Sequence, residues 1–316
     1  DKITFNMFSN ADDMDKKLIA GEYDLDFSQT GMSPQGRATA LKEHKGNLDN
    51  PISGYIRYAT FPQIVKPFDN IHCRKAVLFG ADHKSLQTAR GGPQAGGLIG
   101  TNMLPPSVPG SEGQNYDPYG TTKNDGKPNI TKAKEELKAC GKPNGFKTTI
   151  AVRNNKPVDV ATADSMQAAL SKIGIKADVD EYDGAQSSGI VGNPDVVKKK
   201  NYGIIIAGWG PDFPSVQGYG QPLWDSKYIL PSGNNNFAMI KDKKIDAAFD
   251  EFVTEQDKAK KTEIATEINH MVMEGGYYLP FVFERFINWR SDRLTNVYTT
   301  DSYGGTYDFV NLGVTK

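Results

Sequence analysis

No stretch of this 316-residue chain approaches the ~18 consecutive apolar residues that a membrane-spanning helix needs, so no helix here is expected to cross a bilayer. A basic surplus is missing too. Lys and Arg number 37 against 38 Asp and Glu, which argues against a nucleic-acid footprint. Histidines are few: His44, His72, His83 and His270, none at metal-ligand spacing from another. There is no Gly-x-Ser-x-Gly elbow. The Gly-rich tract GGPQAGGLIG (91–100) lacks the Gly-Lys-Ser/Thr ending of a phosphate loop. The acidic run ADVDEYDG (177–184) fails as a calcium loop, because Tyr182 stands where an oxygen ligand is required. No nucleophile and base belong together, so neither an enzyme nor a resident metal or cofactor is expected. Nor is there an initiator Met or signal peptide; the end at Asp1 is expected to come from processing or an engineered boundary.

Cysteine is nearly absent as well. Cys73 lies early in the helical pattern NIHCRKAVLFGA and Cys140 ends KAKEELKACG. In a cytosolic protein two such residues would be buried thiols, and in an exported one a disulfide. The residues alone leave both open.

What the chain does have is α/β patterning. DKITFNMF alternates as a strand, Ala11–Ala20 reads as a helix stopped by Gly21, and EYDLDFSQ and GYIRYATF read as further strands. The loop after EYDLDFSQ holds Gly31, Met32, Ser33 and Pro34. Residues 69–90 are expected to form one helix capped by Asp69 or Asn70, followed by a long irregular tract to Pro128. FKTTIAVR, a helix through Val160, Ala163, Gln167, Leu170 and Ile173, and IKADVDEY make a βαβ unit. Two amphipathic helices follow, burying Ile245, Phe249 and Phe252, then Ile264, Ile268, Met271 and Val272. YYLPFVFERFINWRS returns as an extended run.

The stretch GIIIAGWGPDFPS (203–215) joins two incompatible halves. Ile204, Ile205 and Ile206 suit a strand buried on both faces, yet the run stops in Gly208, Trp209, Gly210, Pro211 and Asp212. Strand ends with such chemistry line ligand crevices in α/β proteins.

The order of these pieces resembles the C-terminal portion of an extracellular solute-binding protein of the peptide/nickel-binding family (family 5), the ligand-capturing component of ABC importers. GYIRYATF, KPFDNIHCRKAVLFGADHKSL, NITKAKEELKACGKPNGF, FKTTIAVR with IGIKADV, IIIAGWGPDFP and YYLPFVFERF carry the likeness in family order across nearly the whole chain, with actinomycete-like details. The resemblance implies a periplasmic-binding-protein-like two-lobe fold that encloses its ligand between the lobes. Here one lobe would be complete (61–283). Residues 1–60 and the return segment 284–316 would belong to a second lobe, whose missing N-terminal portion, or another chain, would complete it.

It further implies that Asp212 pairs with the α-ammonium of a short peptide, beside Trp209 and Phe213, while Gly208 and Gly210 allow close backbone approach. Arg153 would receive the ligand carboxylate next to Asn154, with Tyr219, Asn235 and Asn236 as further ligand candidates. An ABC permease is the implied partner, and the implied location is the cell envelope or exterior, with a lipid anchor in the full-length form. Export in turn implies a Cys73–Cys140 disulfide. The alternative is a processed extracellular fragment acting as a protein-interaction or inhibitory module.

Overall fold

The computed structural model describes residues 2–8, 10–27, 32–210, 212–300 and 305–315. Gly31 and Pro211, both singled out above, lie outside the described residues, as does the end of EYDLDFSQ. The chain divides into two compact units, one of Asp1–Ser53 with Arg285–Lys316 and the other of Gly54–Glu284.

In the smaller unit, α1 (Ala11–Ile19) starts at Asn10, whose side chain accepts the Asp12 and Asp13 N–H groups, and it ends before Gly21 at φ 74°. A second helix, α2 (Pro34–Glu43), follows the Ser33 cap. The strand expected in DKITFNMF is not formed: residues 2–8 have no regular structure, and Ile3, Phe5 and Met7 are 75%, 63% and 100% exposed. Alternation alone cannot make a strand when no described neighbour takes up its backbone hydrogen bonds. EYDLDFSQ likewise contributes one isolated bridge, Leu25 to Arg290. Short antiparallel pairs, such as Leu48–Asp49 with Asn288–Trp289, account for the rest of the unit's pairing.

The larger unit is built on β1 (Ile52–Thr60), β2 (Leu98–Ile99), β3 (Lys147–Arg153), β4 (Lys176–Tyr182), β5 (Tyr202–Trp209) and β6 (Tyr278–Arg285), in sheet order β2-β6-β1-β5-β3-β4. Strand β3 runs parallel to both β4 and β5, so the expected βαβ unit is present. Strand β1 is antiparallel to β5, pairing Ile56 with Trp209 and Arg57 with Gly208. Helices cover both faces. On one, α3 (Ile71–Gly80), α5 (Ile130–Ala139) and α6 (Pro157–Ser171) enclose Ile150, Val152, Ile204 and Ile206. On the other, α8 (Val216–Trp224), α9 (Lys243–Thr254) and α10 (Lys258–Glu274) pack Trp224, Phe249 and Ile268 with Ile56, Tyr58 and Tyr278. The intervening Ile205 faces a third cluster with Val197 of α7 (Pro194–Lys199), so the isoleucine run is buried on both faces as its composition predicts.

The single helix expected over 69–90 is two, α3 and α4 (His83–Ala89). Ala81 turns extended at ψ 139°, and the Asp82 carboxylate takes the Ser85 N–H at 3.0 Å, which restarts the helix on a new axis. Buried Arg74 holds α3 against the end of α10, donating to Phe68 O at 2.6 Å and to Gly275 O at 2.8 and 3.2 Å. A cation at a helix C-terminus also meets the negative end of its dipole.

Cys73 of α3 and Cys140, the C-cap of α5, are joined in a disulfide with Cα atoms 5.3 Å apart and a sequence separation of 67. Beside it, His72 Nδ1 and Glu136 Oε2 are 2.7 Å apart, a second link between the same helices. Replacing both cysteines by alanine is expected to lower the unfolding free energy by about 2–4 kcal/mol, since a long loop is released in the unfolded chain. Urea unfolding of wild type and variant checks this. Equal midpoints would show that the bridge constrains nothing.

Candidate functional site

The parallel strands β3, β4 and β5 end together at Arg153, Tyr182 and Trp209, and the antiparallel β1 begins at this same edge. Loops leaving the carboxyl ends of parallel strands are where α/β sheets place ligands.

After β5 the chain turns through Asp212 and Phe213 into α8. The Asp212 N–H donates to Gly218 O at 3.3 Å, and its side chain is exposed. Among the described residues the Asp212 carboxylate has no hydrogen bond or ion pair. Phe213 is 51% exposed, with one side of its ring over Gly218, where a Cβ would come within 2.8 Å of the ring. Trp209 is half-buried, and among the described residues its indole N–H has no acceptor.

The two glycines are required here by side chains of β1. A Cβ on Gly208 would sit 2.4 Å from an Arg57 guanidinium nitrogen, and one on Gly210 would sit 2.7 Å from the Tyr55 ring. The space that the sequence reading left for ligand backbone above Gly208 therefore belongs to Arg57. Tyr219 is fully enclosed, its ring 5.7 Å from that of Trp224, and burial raises its hydroxyl pKa well above the usual range. Asn236 is also buried, accepting the Ile240 N–H at 3.0 Å and donating to Asp225 O and Ile240 O, so its side chain shapes a turn. Asn235 is half-buried in that turn.

Arg153 stands at the end of β3, its side chain 26% exposed, with Nε 2.5 Å from Asp159 Oδ2. Asn154 follows it, exposed, its N–H donating to Tyr182 O at 2.9 Å. Sequence reasoning missed what lies behind Arg153. Asp159, in the first turn of α6, also accepts from Arg90 at 2.8 Å. Arg90 reaches Glu284 at 3.4 Å, and Glu284 takes a bidentate pair from Arg57 at 2.7 and 2.9 Å. Burial alone would push the Glu284 and Asp159 carboxyls up. The guanidiniums outweigh it, Arg57 and Arg90 for Glu284 and Arg90 and Arg153 for Asp159, and hold both below the usual carboxylate range. One signal could have revealed this network: GYIRYATF and YYLPFVFERF each carry charge inside an otherwise apolar strand, and such charges need partners.

This edge of the sheet thus carries a carboxylate after β5 with no partner among the described residues, a guanidinium after the adjacent β3, and aromatic surface at Phe213 and Tyr55, the latter 40% exposed. Among the described residues no cluster of His, Cys, Asp and Glu could hold a metal ion, and no helix is long and apolar enough to cross a membrane.

Residues 1–230 match the family described as bacterial extracellular solute-binding proteins, family 5 Middle. Among curated proteins, the chain is 25% identical to the glutathione-binding protein GsiB of Escherichia coli (strain K12) over 314 residues, 99% of this chain and 58% of that protein. The same figures hold for GsiB of Shigella flexneri serotype 5b (strain 8401). The chain thus spans a little over half the length of the curated relatives it matches. Of solved structures, clavulanic acid biosynthesis oligopeptide binding protein 2 superposes with a TM-score of 0.91 at 31% identity, covering 97% of this chain and 55% of that one. DppA from Helicobacter pylori, in complex with the peptide STSA, gives 0.74 at 20% identity over 95% of this chain and 55% of that one, a likeness of fold.

Proposed function

The chain belongs to the bacterial extracellular solute-binding proteins of family 5, and on that premise we propose that it captures short peptides for an ABC importer and catalyses no covalent reaction. The observation that carries this reading is the presence of opposite charges at the ends of two neighbouring strands of the larger unit's sheet. Asp212 offers a carboxylate with no partner among the described residues, and Arg153 offers a guanidinium on the neighbouring strand. A peptide with free ends supplies an ammonium for the first and a carboxylate for the second, each bond charge-assisted. Trp209, Phe213 and Asn154 flank these two groups, and residues 61–283 act as the ligand-binding lobe. Solved relatives hold the peptides STSA, Met-Leu and RPPGFSPFR, ligands of the class proposed here. An ABC permease is the downstream partner, and a lipid anchor on a longer form would keep the protein at the cell envelope. The exposed Ile3, Phe5 and Met7 would be covered by further chain, from this protein or another, that completes the smaller unit.

Native mass spectrometry of the chain, purified without denaturation and then incubated with a pool of di- to tetrapeptides, tests the reading. The expected result is uptake of one peptide per chain. Uptake of a sugar or a nickel chelate, with the peptide pool ignored, would refute it.

A further inference from the structure

The charges of the cluster that includes Arg153 do not balance. Arg57, Arg90 and Arg153 bring three positive charges against two negative ones from Asp159 and Glu284. Four of the five are at least nine-tenths buried, at 8% exposure for Arg57, 7% for Arg90, 2% for Asp159 and 8% for Glu284. Those four cancel in charge, so the unmatched positive charge is that of Arg153, whose side chain is 26% exposed and within reach of an anion from solvent. The cluster is also rich in donors, since Arg90 Nε is buried without an acceptor among the described residues. Lys156 adds one more cation at the rim. It is the N-cap residue of α6 but provides no side-chain cap. Partial burial, then Arg153 and Arg57, lower its pKa.

How Arg153 is held matters more than its charge. Asp159 engages it through Nε alone, and among the described residues neither Nη group makes a hydrogen bond. The guanidinium is therefore held at Nε and 26% exposed, with its two Nη groups left to give a planar carboxylate two parallel bonds. Asp159 is fixed in turn by Arg90 from the other side.

We propose that Asp159, anchored by Arg90, is a positioning residue that presents the Arg153 fork to a ligand carboxylate, with Lys156 as a second donor. This end of the site thereby selects peptides with a free carboxylate over neutral analogues. The inference rests on the peptide-capture reading and adds to it the origin of that preference.

The test compares a pool of tripeptides lacking acidic side chains with the same pool amidated at the C-terminus, scored as the ratio of Kd values. Wild type is expected to favour the acids by about tenfold or more, the scale of one charge-assisted pair. Arg153→Lys keeps the charge but cannot both hold Asp159 and offer a fork, so the ratio should fall close to one. Asp159→Asn should lower it several-fold, because the fork loses its fixed direction, and Lys156→Gln should lower it less. A purely structural role for Asp159 would weaken both pools equally and leave the ratio unchanged, which would overturn the proposal. So would a ratio that rises in Asp159→Asn or survives in Arg153→Lys. Wild type binding both pools equally would overturn this inference alone, whereas binding neither would overturn peptide capture and this inference with it. Amidated peptides ending in glutamate, if retained, would place a side-chain carboxylate at the same fork and support the proposal.

Discussion

Glu284→Gln is expected to destabilise the chain by about 3–5 kcal/mol, the range for breaking a buried ion pair from one side. Glutamine matches glutamate in volume, so no cavity forms and the loss is electrostatic. It leaves Arg57 and Arg90, both over nine-tenths buried, with Asp159 as their one counter-charge among the described residues. The bidentate Arg57 bonds at 2.7 and 2.9 Å lose their charge assistance at the same time. Replacing Arg57 and Glu284 together by Met and Leu should recover much of the loss, since a well-packed apolar pair avoids the desolvation cost. The pH dependence follows from the same groups. Glu284 and Asp159 have folded-state pKa values below the usual range, so their contribution is fully present above their unfolded pKa values of about 4. It is lost as pH falls through the depressed folded values, because the unfolded chain binds more protons and acid then favours unfolding. Wild type should lose stability below about pH 4, and Glu284→Gln should lose less over the same interval. Urea unfolding at pH 7 and between pH 4 and 3 measures both effects. A variant matching wild type at pH 7 would show that Arg57 and Arg90 are compensated elsewhere.

Where the chain's local pattern and its packing agree, the fold is readable from residues alone. Ile204 to Ile206, the alternation of FKTTIAVR and the stripe Ile245, Phe249, Phe252 all lie where their periods place them. Legibility fails where distant partners decide. Residues 2–8 alternate as a strand should but pair with no strand among the described residues. The helix Val216–Trp224 contains Gly218, Gly220 and Pro222, residues that argue against a helix, and it forms because Val216, Tyr219, Leu223 and Trp224 are buried together. The disulfide could not be chosen over two thiols until the family resemblance supplied the setting.

The candidate site was half legible for the same reason. Asp212 and Arg153 stand out as charges at strand ends. The groups that hold Arg153 do not, because Arg57 and Glu284 are 227 positions apart and Arg90 and Asp159 are 69 apart. Gly208 and Gly210 were recognisable as close approaches, but only the sheet register reveals that Arg57 and Tyr55 are what approach them.

The account turns on Asp212, and one calorimetric experiment addresses it directly: titration of wild type and Asp212→Asn with a captured tripeptide and with its N-acetylated form. Losing one side of a desolvated charge pair costs about 2–5 kcal/mol of binding, or about 30-fold and upward in Kd. Wild type should therefore bind the free peptide at least that much more tightly than the acetylated one, which has no ammonium to offer. Asp212→Asn should bind both weakly and unfold as wild type does, because the exposed carboxylate supports no other group among the described residues. Were Asp212 only part of a turn into α8, the variant would bind as wild type does and acetylation would change nothing. Equal affinities across the four titrations would contradict the account.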